Sequence, residues 1–509
     1  MSYLIEYALG YTFFSMKFIV SFFLLCVCDM TLFAQNIGIG TTSPKATALL
    51  DVQANNKGVL IPRLTTSQRN AIVNPERSLL VFDTDKGTIF FYDGTAWKGL
   101  SFTAENNVPP ITRLAIDTKA NTSFGNQVDI AGDYAIIGAK LWSTNAMPNR
   151  GAAYIFYKGT NGWLQQAKLT PPDSTANDYF GASVAIKGDY AIVGAPTKAN
   201  GRGKIYLYKR TGTAWNLEAN FTKPGAVTDY DNFGFSVEMC INGAGLPIAI
   251  IGTPFTNVGG TDKGEITTFT RNIATGIWAF GQTIVPTDIA NNDNYGFSIA
   301  ADGNYLVVGA PYQNGTAGTD AGAAYVYLFS GSTYSQQTKL IGATAGASFG
   351  ISVAINGNLI AAAAPYAALY ANTSPAVYTY KRSNTTWDNT NIIYLSNITS
   401  SNLTSVYGVS VAIQNNKLLI GAPGGIDYAN GGNITYTPIK GAVYKYDNYG
   451  TDLFNTTTVK IVYSENSFNG DYFGQSISVD GTSGNFIISD HKQQLNGNIF
   501  TGAVMFGTF

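Results

Sequence analysis

Few side chains in this sequence can do acid, base or metal chemistry. There is one histidine, His491, in 509 residues. A lone imidazole cannot share a metal with a second one, and a nucleophile–histidine–carboxylate triad would have to bring both partners to His491. Of three cysteines, Cys26 and Cys28 lie in an apolar N-terminal stretch, which leaves Cys240 alone as an expected buried small hydrophobe. No glycine-rich phosphate loop, Cys-x-x-Cys pair or His-Glu-x-x-His is present. Carboxylates gather instead in short polar runs, at Asp173 to Asp178, Asp229-Tyr230-Asp231, Asn291-Asn-Asp293 and Asn469-Gly-Asp471. Such runs suit turns, whose Asp and Asn oxygens accept from nearby backbone N–H groups, or contacts to a ligand. Aromatic residues with Asn and Asp nearby suit carbohydrate or protein surfaces. The candidate ligand-binding set is therefore Trp142, Asp178, Asp229, Tyr230, Asp231, Asp293, Tyr312, Tyr366 and Tyr428. No catalytic or metal-binding residue is expected.

The elements that position these residues form a repeat. A Phe-Gly or Tyr-Gly pair occurs at Phe124, Phe180, Phe233, Tyr295, Phe349, Tyr407 and Phe473. A second landmark, Gly-Ala-Pro-like, follows; in five copies it lies thirteen residues after the first glycine, as in Gly181 to Gly194 and Gly350 to Ala363. Each complete copy holds four short runs rich in Val, Ile, Tyr and Phe, such as Ser183 to Ile186, Tyr190 to Val193, Lys204 to Tyr208 and Trp215 to Phe221. Turn residues bound them, so they predict strands. Runs such as Ala191-Ile-Val193 lack polar alternation and predict sheets covered on both faces. Four-stranded units repeated radially make a β-propeller, and periodicity of this kind sets the architecture.

The Phe-Gly pair followed by Gly-Ala-Pro resembles the FG-GAP repeats of integrin alpha subunits, over about residues 111–509. The resemblance implies an all-β, seven-bladed propeller of four-stranded blades. The seventh copy supplies only three strands, Gln475 to Val479, Asn485 to Ser489 and Gly502 to Phe506, so Ile111 to Ile116 is expected to complete that blade. Integrin-type repeats often carry calcium on an Asp-x-Asp-x-Asp-Gly loop between the first two strands. Here the corresponding turns, such as Lys187-Gly-Asp189 and Asn356-Gly-Asn358, offer at most one carboxylate, so the family's calcium sites do not carry over. The nearest approach is Asp480 to Asn485 with Asp490. No cofactor is expected. Connections between second and third strands are long and varied, at Lys140 to Arg150, Phe255 to Lys263, Tyr312 to Ala321, Tyr366 to Ser374 and Gly424 to Lys440. They share a face of the disc with the blade-to-blade loops, and binding is expected there.

Before the repeats, Met16-Lys17 and the apolar run Phe18 to Cys28 read as a secretory signal ending near Ala34-Gln35, with residues 1–15 as an over-extended start. Residues 36–100 form a distinct module of short strands, with Thr66 to Ile72 helical, and residues 101–110 read as a linker. The module resembles N-terminal segments of secreted Bacteroidetes proteins and parts of phage tail-fibre proteins, where such modules often trimerise. Charged residues are 12%, 31 basic against 32 acidic, which favours neither nucleic acid nor an electrostatic membrane surface. The expected protein is secreted or held at the outer cell surface, is not an enzyme, and binds or adheres to an extracellular protein or glycan. Homo-oligomerisation through the N-terminal module is expected. The competing readings are a secreted polysaccharide-active enzyme with carboxylates in the mouth of the disc, and a structural oligomeric surface or fibre component.

Overall fold

The computed structural model describes residues 37–45, 47–86, 88–99, 111–117, 121–257, 261–366, 375–394, 407–415, 417–423, 441–447, 460–463, 472–480, 482–491 and 502–509. The expected signal segment, the linker 101–110 and the loop 424–440 lie outside them. The chain divides into two compact units, Met1–Ala104 and Glu105–Phe509. Among the described residues, no helix is long and apolar enough to cross a membrane.

In the first unit, Ile37–Ile39 pairs in parallel with Leu50–Val52. Arg63–Leu64, Leu80–Asp83, Thr88–Tyr92 and Trp97–Gly99 make a four-stranded sheet. The helix expected at Thr66 to Ile72 spans Thr66–Asn70, and starts where Thr65 and Gln68 close a capping box. It is pinned to the sheet by Arg69, whose Nε lies 2.9 Å from Asp83 Oδ2 and whose guanidinium stacks 3.8 Å over the Phe90 ring. Outside that contact the unit covers few of its apolar side chains: Ile37, Ile39, Leu49, Leu50, Val59 and Leu60 are all more than half exposed.

The second unit holds seven four-stranded antiparallel sheets, numbered 1 to 7 in chain order. Sheet 2 is Ser183–Lys187, Tyr190–Ala195, Lys204–Thr211 and Ala214–Phe221, the four expected runs extended by a few residues. Sheet 7 is Ile477–Asp480, Asn485–Asp490, Ala503–Thr508 and, from the other end of the unit, Ile111–Arg113. Ile111, Thr112 and Arg113 pair with Phe506, Met505 and Val504. The strand is three residues long rather than the six expected, because Ile116 turns out to solvent and its N–H donates to Gln165 Oε1 in sheet 1. Sheets are covered on both faces by their neighbours. Ile136, Ala153 and Ile155 of sheet 1 pack with Val184, Val193 and Tyr206 of sheet 2. Ile487, Val504 and Phe506 of sheet 7 pack with Val128, Ile137 and Trp163 of sheet 1, with Trp163 stacked on Phe506 at 4.3 Å.

The landmark glycines have two separate reasons. In all seven Phe-Gly pairs the glycine has φ between +86° and +93°, where a side chain is strained, and the aromatic before it is at most 1% exposed. The second landmark sits at a joint between sheets. A Cβ built on Gly138, Gly194, Gly252, Gly309 or Gly421 would lie 1.9–2.3 Å from the carbonyl oxygen of the next sheet's Phe-Gly glycine. Across the same joint the Ser183, Ser236, Ser298 and Ser410 hydroxyls each donate to that carbonyl at 2.7 Å. Sheet 1 has Asn126 in this role, bonded through Nδ2 to Gly181 O at 3.0 Å.

Candidate functional site

The long loops do share a face with the segments between sheets. The Asn177 and Tyr179 N–H groups, ahead of sheet 2, donate to Pro148 and Asn149 carbonyls at 2.9 and 3.1 Å. The same pairing recurs as Tyr230 N–H to Asn200 O at 3.0 Å and Asn292 N–H to Thr261 O at 2.8 Å.

Tyr230 stands out on this face. Three residues before the Phe-Gly aromatic, Asn121, Asn177 and Asn292 take positive φ of 58°, 62° and 64°, a conformation Asn tolerates. Tyr230 holds that position with φ 71° and is 73% exposed. A bulky residue there costs about 1 kcal/mol or more, and nothing buried repays it. Beside it, Arg202 Nε meets Asp229 Oδ1 at 2.8 Å, both side chains well exposed. Arg202, Asp229 and Tyr230 thus form an exposed patch of guanidinium, carboxylate and phenol.

Three expected ligand carboxylates are placed otherwise. Asp178, Asp231 and Asp293 are at most 2% exposed, and the backbone N–H of Thr175, Thr228 and Ala290 donates to them at 2.6, 2.9 and 2.8 Å. The turns use them, because a loop tucked between two sheets needs acceptors for its own N–H groups. Asp178 and Asp231, with both oxygens bonded, are therefore turn-formers rather than exposed ligand contacts, while Asp293 gives the turn Oδ2 and keeps Oδ1 without a hydrogen-bond partner. Trp142 is half-buried against the sheet 1 core, with Lys168 Nζ 3.3 Å over its ring. Tyr312 packs edge-on against Phe297 and is half-buried, as is Tyr366. Tyr428 lies outside the described residues. Cys240 is 1% exposed, its Sγ donating to Gly303 O at 3.2 Å, and burial pushes the thiol up to about 12. His491 packs 5.0 Å from the Tyr472 ring.

The reading of the sequence missed the cavity along the first strands. About 620 Å³ is lined by residues from the first strands of all seven sheets. Four residues after the Phe-Gly glycine, five copies place Ala185, Ala300, Ala354, Ala412 and Ser478 on its wall, and the other two place Asp129 and Glu238. That comparison alone would have found them. Asp129 is held: Ile186 N–H donates to Oδ2 at 2.7 Å, and Ile130 N–H and Ser478 Oγ donate to Oδ1 at 2.9 and 2.7 Å. Glu238 accepts from its own neighbour, Met239 N–H, at 3.0 Å. Burial, then the nearby Asp129 charge, pushes the Glu238 carboxyl well above its ordinary range, against the pull of Lys187; Asp302 adds to the upward push. A carboxyl raised in the fold keeps a proton that the unfolded chain releases, so stability falls as pH climbs from the unfolded value towards the folded one. Glu238→Gln is expected to raise the unfolding midpoint at pH 8 by about 2–4 °C and to leave it unchanged at pH 4. Thermal unfolding at the two pH values checks this, and no gain at pH 8 would mean that water solvates the carboxylate.

Among the described residues, no group of three or more His, Cys, Asp and Glu side chains could hold a metal ion. At the turn after Asp480, the carboxylate accepts from the N–H and Oγ of Ser483 at 2.8 and 2.6 Å.

Two family descriptions match parts of the chain. A family described as the phage tail like trimerisation region matches residues 38–122, running past the module boundary expected at Leu100. The FG-GAP repeat family matches residues 114–156, 163–208 and 278–327. The chain carries FG-GAP repeats and a phage-tail-like trimerisation region. No curated protein matches it. Among solved structures it is similar to Saccharomyces cerevisiae Sqt1, at 9% identity and a TM-score of 0.41 over 74% of this chain and 82% of that one. It is also similar to the β-propeller domain of the Trilobed protease from Pyrococcus furiosus, at 8% identity and a TM-score of 0.41 over 78% and 95% of the two chains.

Proposed function

We propose that this is a secreted or surface-displayed binding protein that works as a homo-oligomer. The trimerisation region joins copies, and each copy carries a seven-bladed propeller, closed by Ile111–Arg113, whose loop-rich face takes an extracellular protein or glycan. The observation that carries the reading is Tyr230: an exposed aromatic ring held in a strained backbone conformation beside Arg202 and Asp229. Strain kept at an exposed position points to a role outside the fold. The exposed Ile37, Ile39, Leu50, Val59 and Leu60 support self-association of the first unit.

Two measurements test this. Sedimentation of the full chain is expected to give three times the chain mass. Protein and glycan arrays probed with that oligomer are expected to return a ligand whose affinity falls at least about tenfold in Tyr230→Ala, the cost of one well-placed aromatic contact. Asp189→Ala, on the opposite face, is expected to bind normally. If Asp189→Ala loses the ligand and Tyr230→Ala keeps it, the functional face is the other one.

A further inference from the structure

The segments ahead of sheets 2, 3 and 4 are built alike, with an Asp two residues before the aromatic of the Phe-Gly pair: Asp178, Asp231 and Asp293. In two of them a lysine ammonium neutralises the buried carboxylate and also donates to the backbone carbonyl five residues earlier. Lys198 Nζ lies 2.8 Å from Asp178 Oδ2 and donates to Asp173 O. Lys223 Nζ lies 3.7 Å from Asp231 Oδ2 and donates to Ala226 O. Each of these carboxylates also receives a threonine hydroxyl, from Thr175 and Thr228.

The third segment keeps the frame and changes the occupants. The outer contacts of Asp173, to Tyr206 Oη and Lys204 Nζ, are repeated at Asp288 by Tyr325 Oη and Lys339 Nζ, at 3.1 and 2.6 Å. Ala290 stands where Thr175 and Thr228 stand, and takes the hydroxyl away. Gln313, four residues after Gly309, stands where Lys198 stands four after Gly194, and takes the ammonium away. Asp293 is 0% exposed and its Oδ1 has no hydrogen-bond partner; Gln313 is 7% exposed and its Oε1 has none. The orientation of that amide is set by its Nε2, which donates to Asn314 O at 2.6 Å. The Asn314 N–H in turn lies against the Asp293 carboxyl, so the residue that holds the Gln313 amide also reaches Asp293. Two buried oxygens, Asp293 Oδ1 and Gln313 Oε1, thus lack a donor, an arrangement that is costly unless something positive meets them.

We propose that Asp293 Oδ1 and Gln313 Oε1, with the Asp288 carbonyl, bind a monovalent cation of ammonium size, potassium or sodium, in the place that Lys198 and Lys223 fill in the sister loops. One carboxylate with neutral oxygens matches a single positive charge, whereas calcium takes six to eight oxygens and usually several carboxylates. Burial pushes the Asp293 carboxyl up, the penalty that a bound cation would offset.

The test is thermal unfolding of the full chain at constant ionic strength in potassium, sodium or choline chloride. The midpoint in potassium or sodium is expected to exceed that in choline, which is too large to enter, by about 3 °C. Gln313→Lys supplies the ammonium from the chain itself and is expected to bring the choline midpoint up to the potassium value. Asp293→Asn is expected to remove the salt preference, and keeps the test decisive if Gln313→Lys folds poorly. Equal wild-type midpoints in the three salts would overturn the proposal. So would a preference that survives both substitutions, or stabilisation by calcium alone. A wild type indifferent to the cation, whose midpoint falls from pH 5 to 8 unless Asp293 is replaced by Asn, would identify a proton as the occupant and overturn it as well.

Discussion

A chain lacking residues 1–117 unfolds at least about 10 °C below one lacking residues 1–105; this is the largest effect expected for the second unit. Residues 111–117 serve two sheets at once. Ile111–Arg113 pairs with Val504 to Phe506 in sheet 7. The next few groups then reach sheet 1: Arg113 Nε donates to Trp163 O at 2.8 Å, and Ala115 lies in the sheet 1 core. Asp117 accepts from Tyr154 Oη at 2.8 Å and pairs with Lys168. Removing the segment exposes the unpaired edge of Ala503–Thr508 and leaves Lys168 and Tyr154 without their carboxylate. Paired cysteines at Thr112 and Met505, which face each other in the register, are expected to crosslink within one chain under mild oxidation. If the two truncated chains melt together and the crosslink forms only between chains, the proposed closure fails.

The second large effect is at the joint glycines. Gly194→Ala is expected to cost about 4 kcal/mol or more, the range in which backbone overlap rather than propensity decides. Its Cβ would fall 2.3 Å from Gly234 O and 2.2 Å from Ser183 Oγ. Gly212→Ala is the control: its φ is also positive, +61°, but nothing lies within 4 Å of the added carbon, so only the conformational cost of about 1 kcal/mol remains. Urea unfolding of the two variants separates close approach from backbone strain, and equal losses would show that the joint has room to give. The sequence already contains one tolerated alanine. At Ala363 the neighbouring Ser352 turns its oxygen to Val411 N–H, 3.0 Å away, and a Cβ on Gly408 would lie 3.1 Å from the Ala363 Cβ.

Backbone demands were the most legible part of this sequence. A glycine required by positive φ cannot drift, so the Phe-Gly pair marks all seven sheets, whereas the second landmark glycine gives way to Ala363 and Ser489 in the fifth and seventh. The strand ahead of the first Phe-Gly could be assigned by counting, since one sheet lacked a strand and one strand lacked a sheet. Side-chain roles were less legible, because identical residue types serve different ends. Asp178 and Asp229 both sit in polar loop runs, yet one is sealed under a turn and the other pairs with Arg202 in solvent. Only the depth of the loop between two sheets separates them, and depth leaves no local trace in composition. Asp129 and Glu238 were hidden for another reason: a carboxylate within an apolar run looks like an exposed strand position until its copy-mates prove to be alanine or serine.

The pairing of Ile111–Arg113 with Val504 to Phe506 also orders events during synthesis. This strand leaves the ribosome before any of its sheet partners exist, and its partner strand emerges only after the other six sheets. Every other sheet can pair its four strands soon after they appear, since they are consecutive. The seventh must wait for the whole repeat array, so the slowest contact to form is the longest in sequence separation. In the interval both ends of the array carry unpaired backbone edges, the species most prone to pair with another chain. A nascent array halted before residue 503 should therefore be a target for chaperones, even when its first six sheets are already native.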